Sequence, residues 1–448
     1  MDADYNVKAP ELTDITQSSE FVPEPPPSSG ETISAKSAAG VGGASVVAAA
    51  AGIVILFITS HALSPADNAE FLSFWAALFF VCGVLGGIQA ETTRAVGAAR
   101  RPRPAGTPRG ARVLASGLIV GLASALVILA LSPILSNYIF HRDSGAIIGA
   151  LVATAVLFSC HATLAGAAQG HDKWSLFAGL VSLEALLRLG AIAVAAALAA
   201  PLLGLELACL AALAAWLIVT LIFPTARASL AARADVGLGR LLQNTGHALL
   251  SAASSAALIV AFPILLKLTT SPADYALSAP ILLAISLTRA PIMVPLQAFQ
   301  GVALTEVVKN PRDGWKALKK PLAALLAIGV VGAVAAWLIG PWLMLFFGPD
   351  YRVDGWALAA LTLAAVLMAV LTLLGTIVIG LGNHRAYSAG WLTATAVAVA
   401  LLLLPASVEV RSILSLGLGP LAGIVVHALA IARIVRPQRE TADQVVDP

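Results

Sequence analysis

Few charged residues interrupt the apolar runs of this chain, and those few carry most of its chemical possibilities. Arg289 stands beside Pro291, with Pro280 and Pro295 on either side. An ionised group inside such a run needs a partner or water. A guanidinium there takes a phosphate through two parallel N–H donors, extends to the nearer interface, or is neutralised by a carboxylate. Glu184 and Arg188 lie four residues apart, glutamate first, the favourable order for an ion pair on one helix. They form a neutral structural pair, or Glu184 takes up a proton while Arg188 holds an anion. Lys267 closes another apolar run and either snorkels outward or turns inward to hold a pyrophosphate. Glu91 and Arg94 follow a further run. Arg94 and the arginines beyond it make a basic rim that attracts anionic head groups, of bulk lipid or of a diphosphate substrate. Gln89, Gln169, Gln297 and Gln300 suit sugar hydroxyls, or bridge helices. His161 and His427, alone in apolar runs, read as satisfied core residues.

These residues sit in a chain that is 59 % hydrophobic and 11 % charged, with a mean hydropathy of +0.89. A soluble domain is about half apolar and a quarter charged, so most of this chain belongs in lipid. The long continuous runs call for helices and exclude the period-two pattern of a membrane barrel. The three cysteines, Cys82, Cys160 and Cys209, lie in apolar runs with no metal or redox spacing and read as small core residues. No phosphate-binding loop, paired-histidine zinc motif or cofactor signature is present, so neither an enzyme nor a metal or cofactor site is expected. A polytopic glycosyltransferase needs an acidic pair in a substantial first outer loop; here Asp67 and Glu70 occupy a short one.

Positioning the charges takes twelve apolar spans, near 40–60, 71–90, 113–135, 145–168, 174–199, 202–223, 246–268, 275–300, 320–346, 355–381, 386–405 and 412–433. Ala200-Pro201 separates the fifth and sixth as a tight hairpin. Counted from Tyr275, Arg289 lies about 21 Å along the eighth span at 1.5 Å per residue, inside a hydrocarbon layer of about 30 Å. Lysine and arginine gather on one side: Arg94 to Arg112, Arg227 to Arg240, Lys309 to Lys320 and Arg433 to Arg439. The positive-inside rule assigns that side to the cytoplasm of a cell membrane, with both termini there. The acidic, proline-rich stretch 1–38 has no signal-peptide character and reads as a disordered tail.

The spans are organised as two copies. Ser64-Pro65-Ala66-Asp67 recurs as Ser271-Pro272-Ala273-Asp274, 207 residues on (271 − 64), and Gln89-Ala90 recurs as Gln297-Ala298. Residues 145–174 resemble 355–385, with Gly170-His171-Asp172-Lys173 matched to Gly382-Asn383-His384-Arg385. Offsets of 207 to 212 enclose six spans, an even number, so both copies enter the membrane in the same direction. That predicts an all-α membrane protein of about twelve helices, in two six-helix lobes related by a pseudo-two-fold along the membrane normal. The lobes fall at 39–224 and 246–435, with a connector at 225–245 and a tail at 436–448.

The entry Leu63-Ser64-Pro65-Ala66-Asp67…Glu70-Phe71, the exit Gly86-Gly87-Ile88-Gln89-Ala90…Arg94, the glycine-bounded basic turn and the twelve spans resemble the superfamily of polysaccharide-unit flippases, peptidoglycan-precursor flippases and multidrug-and-toxin exporters. The resemblance covers residues 38 to 435 and lies nearest the Wzx-type polysaccharide flippases. Where many members have glycine before the aromatic residue of span two, this chain has Ala69-Glu70. The resemblance implies alternating-access export of a lipid-linked oligosaccharide for cell-surface polysaccharide assembly. The head group would sit between the lobes and the polyprenyl tail in lipid. Expected partners are that substrate, membrane lipids, and glycosyltransferases or a polymerase of the same pathway, with no nucleic acid. Arg289, Arg188 and Lys267 suit an anionic substrate. The alternative on the same fold is an exporter of small amphipathic or cationic compounds. A third class is a scaffold recruiting partners through the acidic tail.

Overall fold

The computed structural model describes residues 35–102, 110–292, 296 and 314–446. Most of the 1–38 tail, part of the arginine cluster, Gln297, Gln300 and the Lys309–Arg312 loop lie outside them.

Each repeated turn is built by a serine cap. Ser64 and Ser271 sit in extended backbone (φ −61°, ψ 155° and φ −61°, ψ 150°). Each accepts the N–H of the aspartate three residues on, at 3.2 Å, and donates to its carboxylate, at 2.9 and 2.7 Å. The proline that follows has no N–H to leave unpaired, so both helices start at proline. After this the copies differ. α2 (Pro65–Ala99) runs unbroken for 35 residues. Its counterpart α12 (Pro272–Ala276) stops after five, and the chain restarts as α13 (Ala279–Ile292). Pro280 cannot donate to the carbonyl of Ala276, which breaks the helix there. The eighth span is therefore not one helix from Tyr275, and a rise counted from that residue overstates the depth of Arg289.

The second repeat ends two helices with one turn. After α5 (Ser144–Gly170), His171, Asp172 and Lys173 donate to Ala167, Gln169 and Ala168 at 3.1, 2.9 and 2.8 Å. After α15 (Gly355–Gly380), Leu381, Gly382 and Asn383 donate to Ile377, Ile379 and Val378 at 2.9, 2.8 and 3.1 Å. Asp172 and Gly382 both take left-handed backbone, φ 58° and 78°, which glycine adopts freely and aspartate more readily than most. The structural offset is thus 210 (382 − 172). Matching glycine to glycine, as the sequence suggested, slips the register by two.

α1 (Ala35–Ala62) packs on α6 (Trp174–Ala197), while α2 and α3 (Val113–Ala130) pack on α5. In the second lobe α14 (Gly314–Met344) packs on α15, and α17 (Val408–Val446) on α15 and α16 (His384–Leu402). α4 (Ser132–Tyr138) continues the third span. The sixth is α7 (Leu202–Ala208), a 3₁₀ stretch (Cys209–Ala214) and α8 (Ala215–Ile222). α9 (Pro224–Leu230) leads to the connector. The seventh span is α10 (Leu238–Ile259) and α11 (Phe262–Leu268), bent by 66° just before Pro263. Nine helices among the described residues are long and apolar enough to cross a bilayer, and the bent pair makes ten. With α13 and α16 they form the expected twelve-helix bundle of two lobes.

The lobes meet along α2 and α10. A Cβ on Gly87 would stand 2.6 Å from the backbone nitrogen of Leu249, and one on Gly83 would stand 3.2 Å from Ala256 Cβ. Gly83-x-x-x-Gly87 is the small-residue spacing that lets membrane helices approach closely. At the basic end, the segment before α3 bonds to the connector through the backbone: Ala111 donates to Val236 at 2.9 Å and accepts from Ala234 at 2.8 Å. The connector is thereby fastened to the first lobe beside α3.

Candidate functional site

The intramembrane charges fall into separate environments. In the first lobe, Arg188 donates to Glu184 at 2.5 Å on the same face of α6, and His161 of α5 brings its Nε2 to 3.3 Å from the other carboxylate oxygen. The Arg188 guanidinium lies 4.7 Å over Phe79 and 5.9 Å from Trp75; Phe158 stacks on His161 at 5.0 Å. Both oxygens of Glu184 are engaged, while Arg188 Nε and His161 Nδ1 are buried without a hydrogen-bond partner. The ion pair follows the i, i+4 spacing. His161 is its unforeseen third member. Nothing within the fourth span shows which neighbour that histidine faces, so the sequence held no signal for it.

Arg289 comes from α13 and reaches the broken seventh span. Pro263 has no N–H, so the carbonyl four residues back, Ile259, loses its helical donor. Arg289 Nη1 donates to that carbonyl at 2.7 Å, where the C-terminal end of α10 favours a cation. Its Nη2 is buried with no partner. The proline signal read in the sequence therefore concerned two spans, and Pro263 was the one overlooked.

Lys267 neither snorkels nor faces a chamber between the lobes. Its ammonium is paired with Glu70 of the first lobe and is 8 % exposed, with Phe140 at 5.8 Å and Tyr275 at 5.4 Å. Around it, Tyr275 Oη meets Ser73 Oγ at 2.5 Å, and Asn68 donates to Tyr351 at 2.7 Å. Arg142 donates to Asp67 at 2.8 Å. The Asp67 and Glu70 pair thus serves as anchorage.

At the basic end, Arg94 makes two bonds to Glu91, at 2.9 and 2.7 Å, and two to Asp235 of the connector, at 2.9 and 3.1 Å. Asn244 of α10 donates to Glu91 at 3.1 Å. Arg94 is a clamp between α2 and the connector, already neutralised. Gln89 donates to Gln169 at 3.0 Å and Thr93 to the same oxygen at 3.1 Å, so these glutamines bridge α2 and α5. Gln297 lies outside the described residues. Arg188, Lys267 and Arg289 accordingly have three different sets of partners; the first two are matched by carboxylates, and Arg289 is held by a carbonyl.

No protein-family model matches the chain. Its fold is similar to that of a multidrug resistance MATE family transporter of the MOP superfamily. In the inward-facing form the TM-score is 0.63 at 13 % identity, over 86 % of this chain and 95 % of that one. In an outward-facing form it is 0.63 at 14 %, over 90 % and 96 %. A MOP superfamily transporter from Pyrococcus furiosus, described by a reverse polarity of its binding pocket that suggests a different function, matches with TM-score 0.59 at 13 %, over 89 % and 96 %. Among proteins known by sequence, the Mycobacterium tuberculosis protein Rv1510 is 36 % identical over 402 residues, 90 % of this chain and 93 % of that one. Rv3630 of the same organism is 36 % identical over 406 residues, 90 % and 94 %; both are described as uncharacterized. With a two-lobe membrane bundle in hand and that identity across nearly the whole length of each chain, this protein belongs to the family of Rv1510 and Rv3630 and carries the fold of MOP-superfamily transporters.

Proposed function

We propose that this chain moves a lipid-linked oligosaccharide across a cell membrane by alternating access between its lobes, for assembly of a cell-surface polysaccharide. The observation that carries the reading is Arg289: a buried guanidinium with Nη1 on the Ile259 carbonyl and Nη2 left over. A group so placed binds an anion in low dielectric, where a phosphate recovers the unmade hydrogen bond. Arg188 and Lys267 no longer add to the argument, because Glu184 and Glu70 neutralise them. The similar fold of the Pyrococcus furiosus transporter, whose reverse pocket polarity suggests a different function, supports the idea that this fold accommodates pockets of different polarity. In this reading the arginine-rich end faces the cytoplasm, and pathway glycosyltransferases or a polymerase work beside the transporter.

The test is surface polysaccharide in cells carrying the full chain. Arg289→Ala is expected to express and insert normally and to lose export, with partial recovery in Arg289→Lys. Unchanged surface polysaccharide at normal expression overturns the assignment. Loss of resistance to amphipathic cations, with polysaccharide intact, replaces it by the multidrug reading. Glu184→Gln separates the two roles of that carboxylate: near-normal export means a structural partner, and lost export with a folded protein means proton coupling.

A further inference from the structure

We infer that Lys267 is the bolt of a latch that closes the lobes at the end opposite the arginine-rich loops. Three contacts there join residues about 200 or more positions apart: Lys267 to Glu70, Tyr275 to Ser73 and Tyr351 to Asn68. All three first-lobe partners lie on the first turns of α2, so one helix end is gripped by three points of the second lobe. Tyr275 also donates to the carbonyl of Ala69 at 3.3 Å. Outside this grip, Phe57 of α1 meets Phe347 of the second lobe edge-on at 6.0 Å.

What singles out Lys267 is its burial. Its ammonium is enclosed by Phe140 and Tyr275, and Glu70 supplies the countercharge from the other lobe. The Lys267 side chain is enclosed while that of Glu70 is 34 % exposed, so removing the carboxylate leaves the ammonium in its enclosed place without a countercharge. The remaining contacts of α2 are of another kind. Its middle packs on α10 through Gly83 and Gly87, a seam along which helices can pivot. At its basic end Arg94 holds Asp235, on a connector that is itself bonded to the first lobe at Ala111, and the one hydrogen bond described there from α10 is that of Asn244 to Glu91, whose carboxylate is already held by Arg94. Rotation about the α2–α10 seam leaves that clamp intact and must break the Lys267–Glu70 bond. Arg411 steadies the second-lobe side by donating to Thr269 at 3.0 Å and Leu402 at 2.8 Å. The latch concerns movement of the lobes, whatever the cargo.

The experiment uses the full chain in membranes, with Cys82, Cys160 and Cys209 replaced by alanine and a reporter pair, Phe57→Cys with Phe347→Cys. Cross-linking by a short bifunctional thiol reagent reads closure of this end. Lys267→Met and, separately, Glu70→Gln are each expected to lower the yield several-fold, and the exchange Glu70→Lys with Lys267→Glu to restore it. Unchanged yield in both single variants overturns the latch, as does an exchange variant that inserts normally and stays as open as the singles. Since Glu70→Gln removes the pair without burying a new charge on α2, it carries the test if Lys267→Met fails to insert. Cross-linking is read without any substrate, so failure of the transport proposal leaves this result unaffected.

Discussion

The two lobes share a backbone plan and differ in what they bury. Applying the 210-residue offset of the α5 and α15 turns, His161 corresponds to Leu371 (161 + 210), Glu184 to Ala394 (184 + 210) and Arg188 to Ala398 (188 + 210). All three second-lobe residues are fully buried, in one apolar cluster with Met368 and Trp391. The second lobe therefore shows that this packing of helices needs no charge at those places. Conversely, Arg289 falls at the level of Val81 or Cys82 of the first lobe, by the offsets of the serine caps (289 − 207) or of the Gln-Ala pairs (297 − 89 = 208; 289 − 208). That stretch of α2 lies close to Phe79 and Trp75, over which the Arg188 guanidinium rests. Each lobe thus holds one arginine in a similar region, supplied by different spans and balanced differently: by a carboxylate in the first lobe, by a freed carbonyl in the second.

Glu184→Ala alone strands Arg188 in its aromatic site and is expected to destabilise the protein by about 3–5 kcal/mol, the penalty for leaving one member of a buried pair. Giving the first lobe the residues of the second, His161→Leu with Glu184→Ala and Arg188→Ala, is expected to recover most of that loss, because apolar replacement of a whole buried pair is often neutral or stabilising. Thermal unfolding in detergent measures both. A triple variant as unstable as the single would mean that the lobes are not interchangeable at these positions.

A smaller effect separates the seam from its surroundings. Gly87→Ala sets a methyl group against the α10 backbone, whereas Gly86 has open space around it. Overpacking at position 87 is expected to cost about 1–3 kcal/mol, and Gly86→Ala almost nothing. Equal effects would argue against the α2–α10 contact.

How much of this was legible without coordinates depends on how local the cause is. The two Ser-Pro-Ala-Asp turns, the hairpin at Ala200-Pro201 and the Glu184–Arg188 pair are set within a few residues of chain, so turn chemistry and helix spacing disclosed them; that the serines cap helices came from the structure. The Gly83-x-x-x-Gly87 spacing was readable in the same way and went unread. The fates of Lys267, Arg94 and His161 were not legible. Their partners Glu70, Asp235 and Glu184 lie on other spans or in the connector, and an apolar run does not reveal which of its faces meets which neighbour. Arg289 stands between these cases: the prolines of its own span were noticed, but its hydrogen bond was created by Pro263 in another.

The turns after α5 and α15 give a finer contrast. Gly382→Ala is expected to lose about 1–2 kcal/mol, since φ of 78° is unfavourable for any residue with a Cβ. Asp172→Gly relieves the same strain but removes the exposed pair with Arg100, worth under about 1 kcal/mol, so the two effects nearly cancel. Opposite results in unfolding measurements would mean that the two turns are not equivalent. At the helix starts, Ser64→Ala and Ser271→Ala are each expected to lose about 1 kcal/mol of capping, and a clear inequality between them would show that only one copy depends on its cap.

In the proposed transport cycle an anionic lipid-linked saccharide passes Arg289. The most direct measurement of that passage is trans-bilayer movement of a fluorescent lipid-linked diphosphosaccharide in proteoliposomes of the full chain, read by quenching from outside. The account predicts protein-dependent movement that Arg289→Ala abolishes and Arg289→Lys partly keeps. Movement indifferent to Arg289, or none at all in vesicles that transport an amphipathic cation, would contradict it.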